Sequence, residues 1–109
     1  ELWGSGKPLR EFMYVQDFAS AIRFIIENNP NSQLLNIGTG EEISIYDLAY
    51  KIKTVVNFEG KILFNTNYPD GNPRKLLDSS KINELGWKSE VSLTDGLAKT
   101  YKWFLENNN

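Results

Sequence analysis

The 109-residue sequence has neither cysteine nor histidine. Without cysteine there can be no disulfide and no thiolate nucleophile, a usage that suits a reducing cytoplasm, so the expected location is cytoplasmic. Without histidine the commonest general base and the commonest metal ligand are both missing. The remaining acids form no metal-ligand cluster, so no metal site is expected. No apolar run approaches the roughly 20 residues that span a bilayer, and no membrane association is expected. The chain opens on Glu1-Leu2-Trp3, with no Met and no basic stretch leading into an apolar one. It therefore reads as a segment of a longer parent, without a signal peptide. The formal net charge of −2, with both signs interspersed, gives no broad positive field for nucleic acid. An anionic ligand would need a local cluster of Arg and Lys.

What is present is enough for a packed domain. Hydrophobic residues make up 40% of the chain, including three Trp, five Tyr and six Phe, whose side chains bury large areas. Trp3-Gly4-Ser5-Gly6-Lys7-Pro8 is a loop by composition. Glu11 to Val15 reads as a strand, and Asp17 as the N-cap of a helix whose apolar stripe is Phe18, Ala21, Ile22, Ile25 and Ile26. Leu34 to Ile37 reads as a second strand, closed by Gly38-Thr39-Gly40. Ser44, with Asp47 three residues on, opens a second helix with Ile45, Leu48, Ala49, Ile52, Val55 and Val56 on its buried side. Lys61 to Phe64 reads as a third strand. Pro69-Asp70-Gly71-Asn72-Pro73 excludes regular structure between Asn65 and Lys75. A brief helix runs to Leu85 and stops at Gly86. A final helix starts near Ser92 and carries Leu93, Leu97, Tyr101, Phe104 and Leu105. This order argues an α/β fold whose sheet, with about three strands, needs neighbours from elsewhere in the parent.

No complete catalytic site is legible. There is no Ser-His or Cys-His pair, no Gly-x-Gly-x-x-Gly after a strand, and no Tyr-x-x-x-Lys pair. Two stretches could instead receive an anion. In the first, Trp3 to Arg10, glycines allow close backbone approach, Arg10 offers a planar fork for phosphate oxygens, and Trp3 offers a flat face for a sugar or base. A surface loop with Trp3 packed in the core explains the same residues. In the second, Asp70 could accept from sugar hydroxyls while Arg74 or Lys75 faces phosphate. A rigid turn with solvated charges is the alternative.

Arg10-Glu11-Phe12-Met13-Tyr14-Val15-Gln16-Asp17 resembles the Arg-x-Phe-x-x-Val-x-Asp segment of extended short-chain dehydrogenases/reductases acting on nucleotide sugars. Asn36-Ile37-Gly38-Thr39-Gly40 and Leu85-Gly86-Trp87 are similar to later signatures of the same enzymes. Narrower features resemble the GDP-L-fucose synthase family. They are Trp3-Gly4-Ser5-Gly6 with Pro8 before Arg10, the run Pro69 to Asp78, and the ending Leu93-x-x-Gly96-Leu97-x-x-Thr100-Tyr101-x-Trp103-Phe104-Leu105. Lys7 and Gln16 depart from the small hydroxylated residue and the acid expected there, at peripheral positions.

The resemblance implies that residues 1–109 are a C-terminal substrate-binding portion, with short strands and about four helices, and that an N-terminal Rossmann domain is absent. It implies an NADP-dependent epimerase/reductase acting on GDP-4-keto-6-deoxy-D-mannose, with NADPH held mainly by the absent domain. No cofactor and no catalytic residue are expected in this segment, which alone should be inactive. Trp3, Arg10 and Asp70 match substrate-binding positions, and Arg74 is added by analogy with diphosphate-binding arginines of related enzymes. Each charge-assisted contact to a diphosphate would contribute roughly 1.5–3 kcal/mol. The family is homodimeric, and the segment itself is expected to be monomeric. Another nucleotide-sugar epimerase or dehydratase, a noncatalytic nucleotide-sugar-binding module and a purely structural domain are the alternatives.

Overall fold

The computed structural model describes residues 1–31 and 34–108. Along them run β1 (Leu2–Trp3), β2 (Leu9–Glu11), α1 (Val15–Asn28), β3 (Glu42–Ser44), α2 (Ile45–Val55), β4 (Phe64–Asn65), α3 (Ser80–Glu84) and α4 (Leu93–Asn107). The fold class is α/β, as expected. Its described strands form two separate pairs: β1 beside β4, parallel, and β2 against β3, antiparallel, with Arg10 opposite Ile43.

Helix ends follow local chemistry. The Ser44 hydroxyl accepts the Asp47 amide at 2.9 Å and donates to the Asp47 carboxylate at 2.6 Å. Ser92 and Asp95 repeat this arrangement at the start of α4. Both serines satisfy an amide that the first helical turn leaves without a carbonyl. Gly86 ends the short helix at φ +112°, a conformation that L side chains avoid.

Several expectations are corrected. The strand expected over Glu11 to Val15 lies at Leu9–Glu11 as β2, and α1 is capped by Tyr14 rather than Asp17. Asp17 sits inside the first turn and is buried, with its carboxylate accepting the amides of Glu90 at 3.2 Å and Val91 at 2.9 Å. A long-range demand thus takes the side chain that looked like a cap. Leu34 to Ile37 belongs to neither sheet. The third strand is displaced to Phe64–Asn65, where it pairs with β1.

The core is small. Ala21, Ile82 and Trp87 are buried, with Met13, Phe24, Ile25 and Ile37 packed around them. The Trp87 indole N–H donates to the Ser20 hydroxyl at 2.9 Å. The rest of the expected α1 stripe faces outward: Phe18, Ile22 and Ile26 are exposed, Ile26 to 74%. The α2 stripe is at best half-buried. The molecule is a slab of 48 × 35 × 18 Å. Its accessible surface is 8193 Å². A self-contained globule of this mass would expose roughly 6,200 Å². Exposed apolar side chains of α1, α2 and α4, among them Ile26, Tyr50 and Trp103, are part of this surface.

Candidate functional site

The loop after β1 is shaped by two glycines at positive φ, Gly4 at +86° and Gly6 at +78°. Both are buried. Gly4 is further constrained by its neighbour: a Cβ there would lie 2.5 Å from the Asp70 carboxylate.

The second segment, 65–75, is irregular because of its prolines, yet it tracks the first loop closely. The amides of Gly4 and Tyr68 both donate to the Asn65 carbonyl, at 2.9 and 3.3 Å, and the Asn67 amide donates to the Asn65 side-chain carbonyl at 3.1 Å. Further along, the Leu9 amide donates to the Pro73 carbonyl at 2.9 Å, and Leu9 forms a parallel bridge with Arg74. The two stretches singled out in the sequence therefore form one seam.

Trp3 is 68% exposed, so the reading that buries it in a core is wrong. One face of its indole stacks on Tyr68, with centroids 4.1 Å apart and planes within 9°. Asp70 accepts the Ser5 amide at 2.7 Å and the Ser5 hydroxyl at 2.6 Å. These two bonds, the hydroxyl first, hold the Asp70 carboxyl below its ordinary range. Arg10 is half-buried, and its Nη1 donates to the carbonyls of Leu9 at 2.7 Å and Asn72 at 2.8 Å. Side chains of both loops line a hollow of about 240 Å³ formed by Lys7, Pro8, Asp70, Gly71 and Pro73.

Arg74 is placed differently. It borders the seam through its backbone, but its guanidinium forks onto Glu42 of β3, with Nε to Oε1 at 2.6 Å and Nη2 to Oε2 at 2.8 Å. The contact lowers the Glu42 carboxyl and raises Arg74. Of the four expected residues only Asp70 lines this hollow. Trp3 lies exposed on Tyr68 at one end of the seam, Arg10 reaches across it to the Asn72 carbonyl, and Arg74 stands at its far end, already paired.

Sequence reasoning missed the residues that build the seam. Ser5, Asn65, Tyr68 and Glu42 drew no notice as partners because their contacts span long intervals of chain. Tyr68, an aromatic next to a proline turn, was the one readable signal.

Residues 1–38 match the model of the NAD dependent epimerase/dehydratase family. The whole chain is similar to "GDP-L-fucose synthase 1" of Arabidopsis thaliana, at 50% identity over 106 residues, which are 97% of this chain and 33% of that protein. It is also similar to two solved structures. One is a GDP-L-fucose synthetase from Naegleria fowleri bound to NADP, at 33% identity and TM-score 0.82, covering 97% of this chain and 34% of that one. The other is a GDP-6-OMe-4-keto-L-xylo-heptose reductase from C. jejuni, at 36% identity and TM-score 0.88, covering 99% and 34%. The chain spans about a third of the length of the curated relatives it matches.

Proposed function

We propose that this chain belongs to the NAD dependent epimerase/dehydratase family, whose model matches residues 1–38, and that it forms the GDP-sugar-binding portion of a GDP-L-fucose synthase. In this reading the whole protein converts GDP-4-keto-6-deoxy-D-mannose to GDP-L-fucose. It epimerises C3 and C5 and then reduces the C4 ketone, with NADPH supplying the hydride. NADPH is assigned to a Rossmann domain outside residues 1–109, and the chain alone is expected to be inactive. The whole protein is read as a cytoplasmic homodimer and the isolated chain as a monomer. Among the described residues no helix is long and apolar enough to cross a membrane.

The observation that carries this reading is the seam. Trp3 offers an uncovered aromatic face beside it. A guanidinium has five N–H donors, and the two backbone carbonyls that Arg10 meets engage only part of that set. Arg10 therefore keeps donors for a phosphate. The Asp70 carboxylate keeps acceptor capacity for a sugar hydroxyl beyond its bonds to Ser5. Arg74 would contribute only by exchanging Glu42 for a phosphate oxygen. Binding energy collected on the nucleotide holds the sugar against the hydride donor, which is how a portion without catalytic groups contributes to rate. The exposed α1 stripe and the slab's surplus surface support a second body packed on this one.

The likeness to a heptose reductase supports a second reading, in which the nucleotide is still GDP but the sugar is a 4-keto heptose. Both are tested in the intact protein carrying this chain by following NADPH oxidation with each GDP-sugar. We expect turnover of GDP-4-keto-6-deoxy-D-mannose, competition by GDP and not by UDP or dTDP, and a raised sugar KM in Arg10→Ala with the NADPH KM unchanged. Turnover of the heptose alone favours the second reading. Competition by UDP or dTDP overturns both.

A further inference from the structure

We infer that Tyr68 is a positioning residue for substrate: it fixes the plane of the Trp3 indole so that the opposite face is presented to the ligand. The inference rests on the reading of Trp3 as a substrate contact. It goes beyond it by naming what holds that contact in place.

The geometry has three parts. First, Trp3 sits at the end of a two-residue strand, with its side chain mostly in solvent. An indole in that position would ordinarily sample several rotamers. Second, its ring is not loose: it lies on Tyr68 at 4.1 Å and 9°, close to parallel, so one face is covered. Stacked aromatic pairs of this kind gain energy beyond the area they bury. Third, Tyr68 is itself held by backbone. The Asn65 carbonyl receives the amides of Gly4, next to Trp3, and of Tyr68. Trp3 and Asn65 are also register partners in the β1–β4 pair. One carbonyl thus ties together the backbones on either side of the stack, and Asp70 pins the adjoining Ser5 immediately beyond it. The ring is ordered before any ligand arrives, so binding need not bear the entropy of ordering it.

The test uses the intact protein with GDP-4-keto-6-deoxy-D-mannose and NADPH as probes, and compares Tyr68→Ala, Tyr68→Phe, Tyr68→Leu and Trp3→Ala. We expect Tyr68→Ala to raise the sugar KM about three- to tenfold, the span a lost stacking contact implies. The NADPH KM should not move and kcat should stay within about twofold, since uniform binding alone is lost. Tyr68→Phe, which keeps the stack and loses only the hydroxyl, should behave as the parent. Tyr68→Leu fills the space without a ring and should behave as Tyr68→Ala, and it decides the matter if the alanine variant fails to fold. A raised KM in Trp3→Ala with no change in Tyr68→Ala or Tyr68→Leu overturns this inference and leaves the proposed function standing. An unchanged KM in Trp3→Ala overturns the substrate role of Trp3, and this inference with it.

Discussion

The Asp70 carboxylate holds Ser5 by two bonds at once, to its amide at 2.7 Å and to its hydroxyl at 2.6 Å, joining residues 65 positions apart in the chain. This clasp depends on charge. Because the Asp70 carboxyl is held below its ordinary range, its contribution is fully present above the ordinary aspartate value and is lost as pH falls through the lowered one. The Ser5 amide resonance followed against pH should therefore shift only in acid below the usual aspartate midpoint. In Asp70→Asn that transition should vanish. A Ser5 transition at the ordinary value would show that the clasp is not formed in solution.

Gly4 should not tolerate a side chain. At φ +86° any L residue is strained, by roughly 1–2 kcal/mol for alanine. The added methyl would also press on the Asp70 carboxylate. Gly4→Ala is expected to lower the denaturation midpoint by at least that strain and to weaken sugar binding more than NADPH binding. A variant as stable as the parent would mean that the loop adopts another path.

The buried Asp17 forms a second carboxylate clasp, on the amides of Glu90 and Val91. Replacing it with alanine leaves the amides of Glu90 and Val91 without their acceptor, at a cost of about 1–3 kcal/mol. Asp17→Asn keeps a carbonyl oxygen and should lose less. Hydrogen exchange at Val91 should quicken in the alanine variant in step with the loss of stability; unchanged exchange there would show that the amide has found another partner.

Ser44 joins β3 to α2, and its hydroxyl caps the helix. Ser44→Ala is expected to cost about 1 kcal/mol, and Ser44→Asp to recover most of it. Chemical denaturation distinguishes the two, and equal loss in both would place the contribution of Ser44 in the β2–β3 pair instead of the cap.

The helices were readable because their causes are local. Ser44 with Asp47, Ser92 with Asp95, and Gly86 each set an end within one turn, and the structure keeps all three. The strands were misplaced because their causes are distant. Leu2 and Trp3 become a strand only beside Phe64 and Asn65, and no pattern within either segment announces the other. Asp17 misled for the same reason, since its acceptor role is fixed by amides more than 70 residues away. The apolar stripe of α1 was legible as amphipathic; that Ala21 and Ile25 would meet the core while Phe18, Ile22 and Ile26 face outward was not. A period of 3.6 identifies the face and is silent about what covers it. At the seam, Trp3, Arg10 and Asp70 were marked by chemistry. Arg74 was marked by its charge and by analogy with diphosphate-binding arginines, and the carboxylate that occupies it, Glu42, lies on a strand the sequence did not disclose.

The stretch from Asn65 to Asp70 behaves as a ruler. Its first residue receives the amides that flank the aromatic stack, and its last grips Ser5. Shortening or lengthening it by a single residue would slide Tyr68 off the indole and carry the carboxylate out of reach in the same stroke. What this segment must conserve is therefore its span between two anchors, and its intervening side chains are free to vary only where they leave that measure intact.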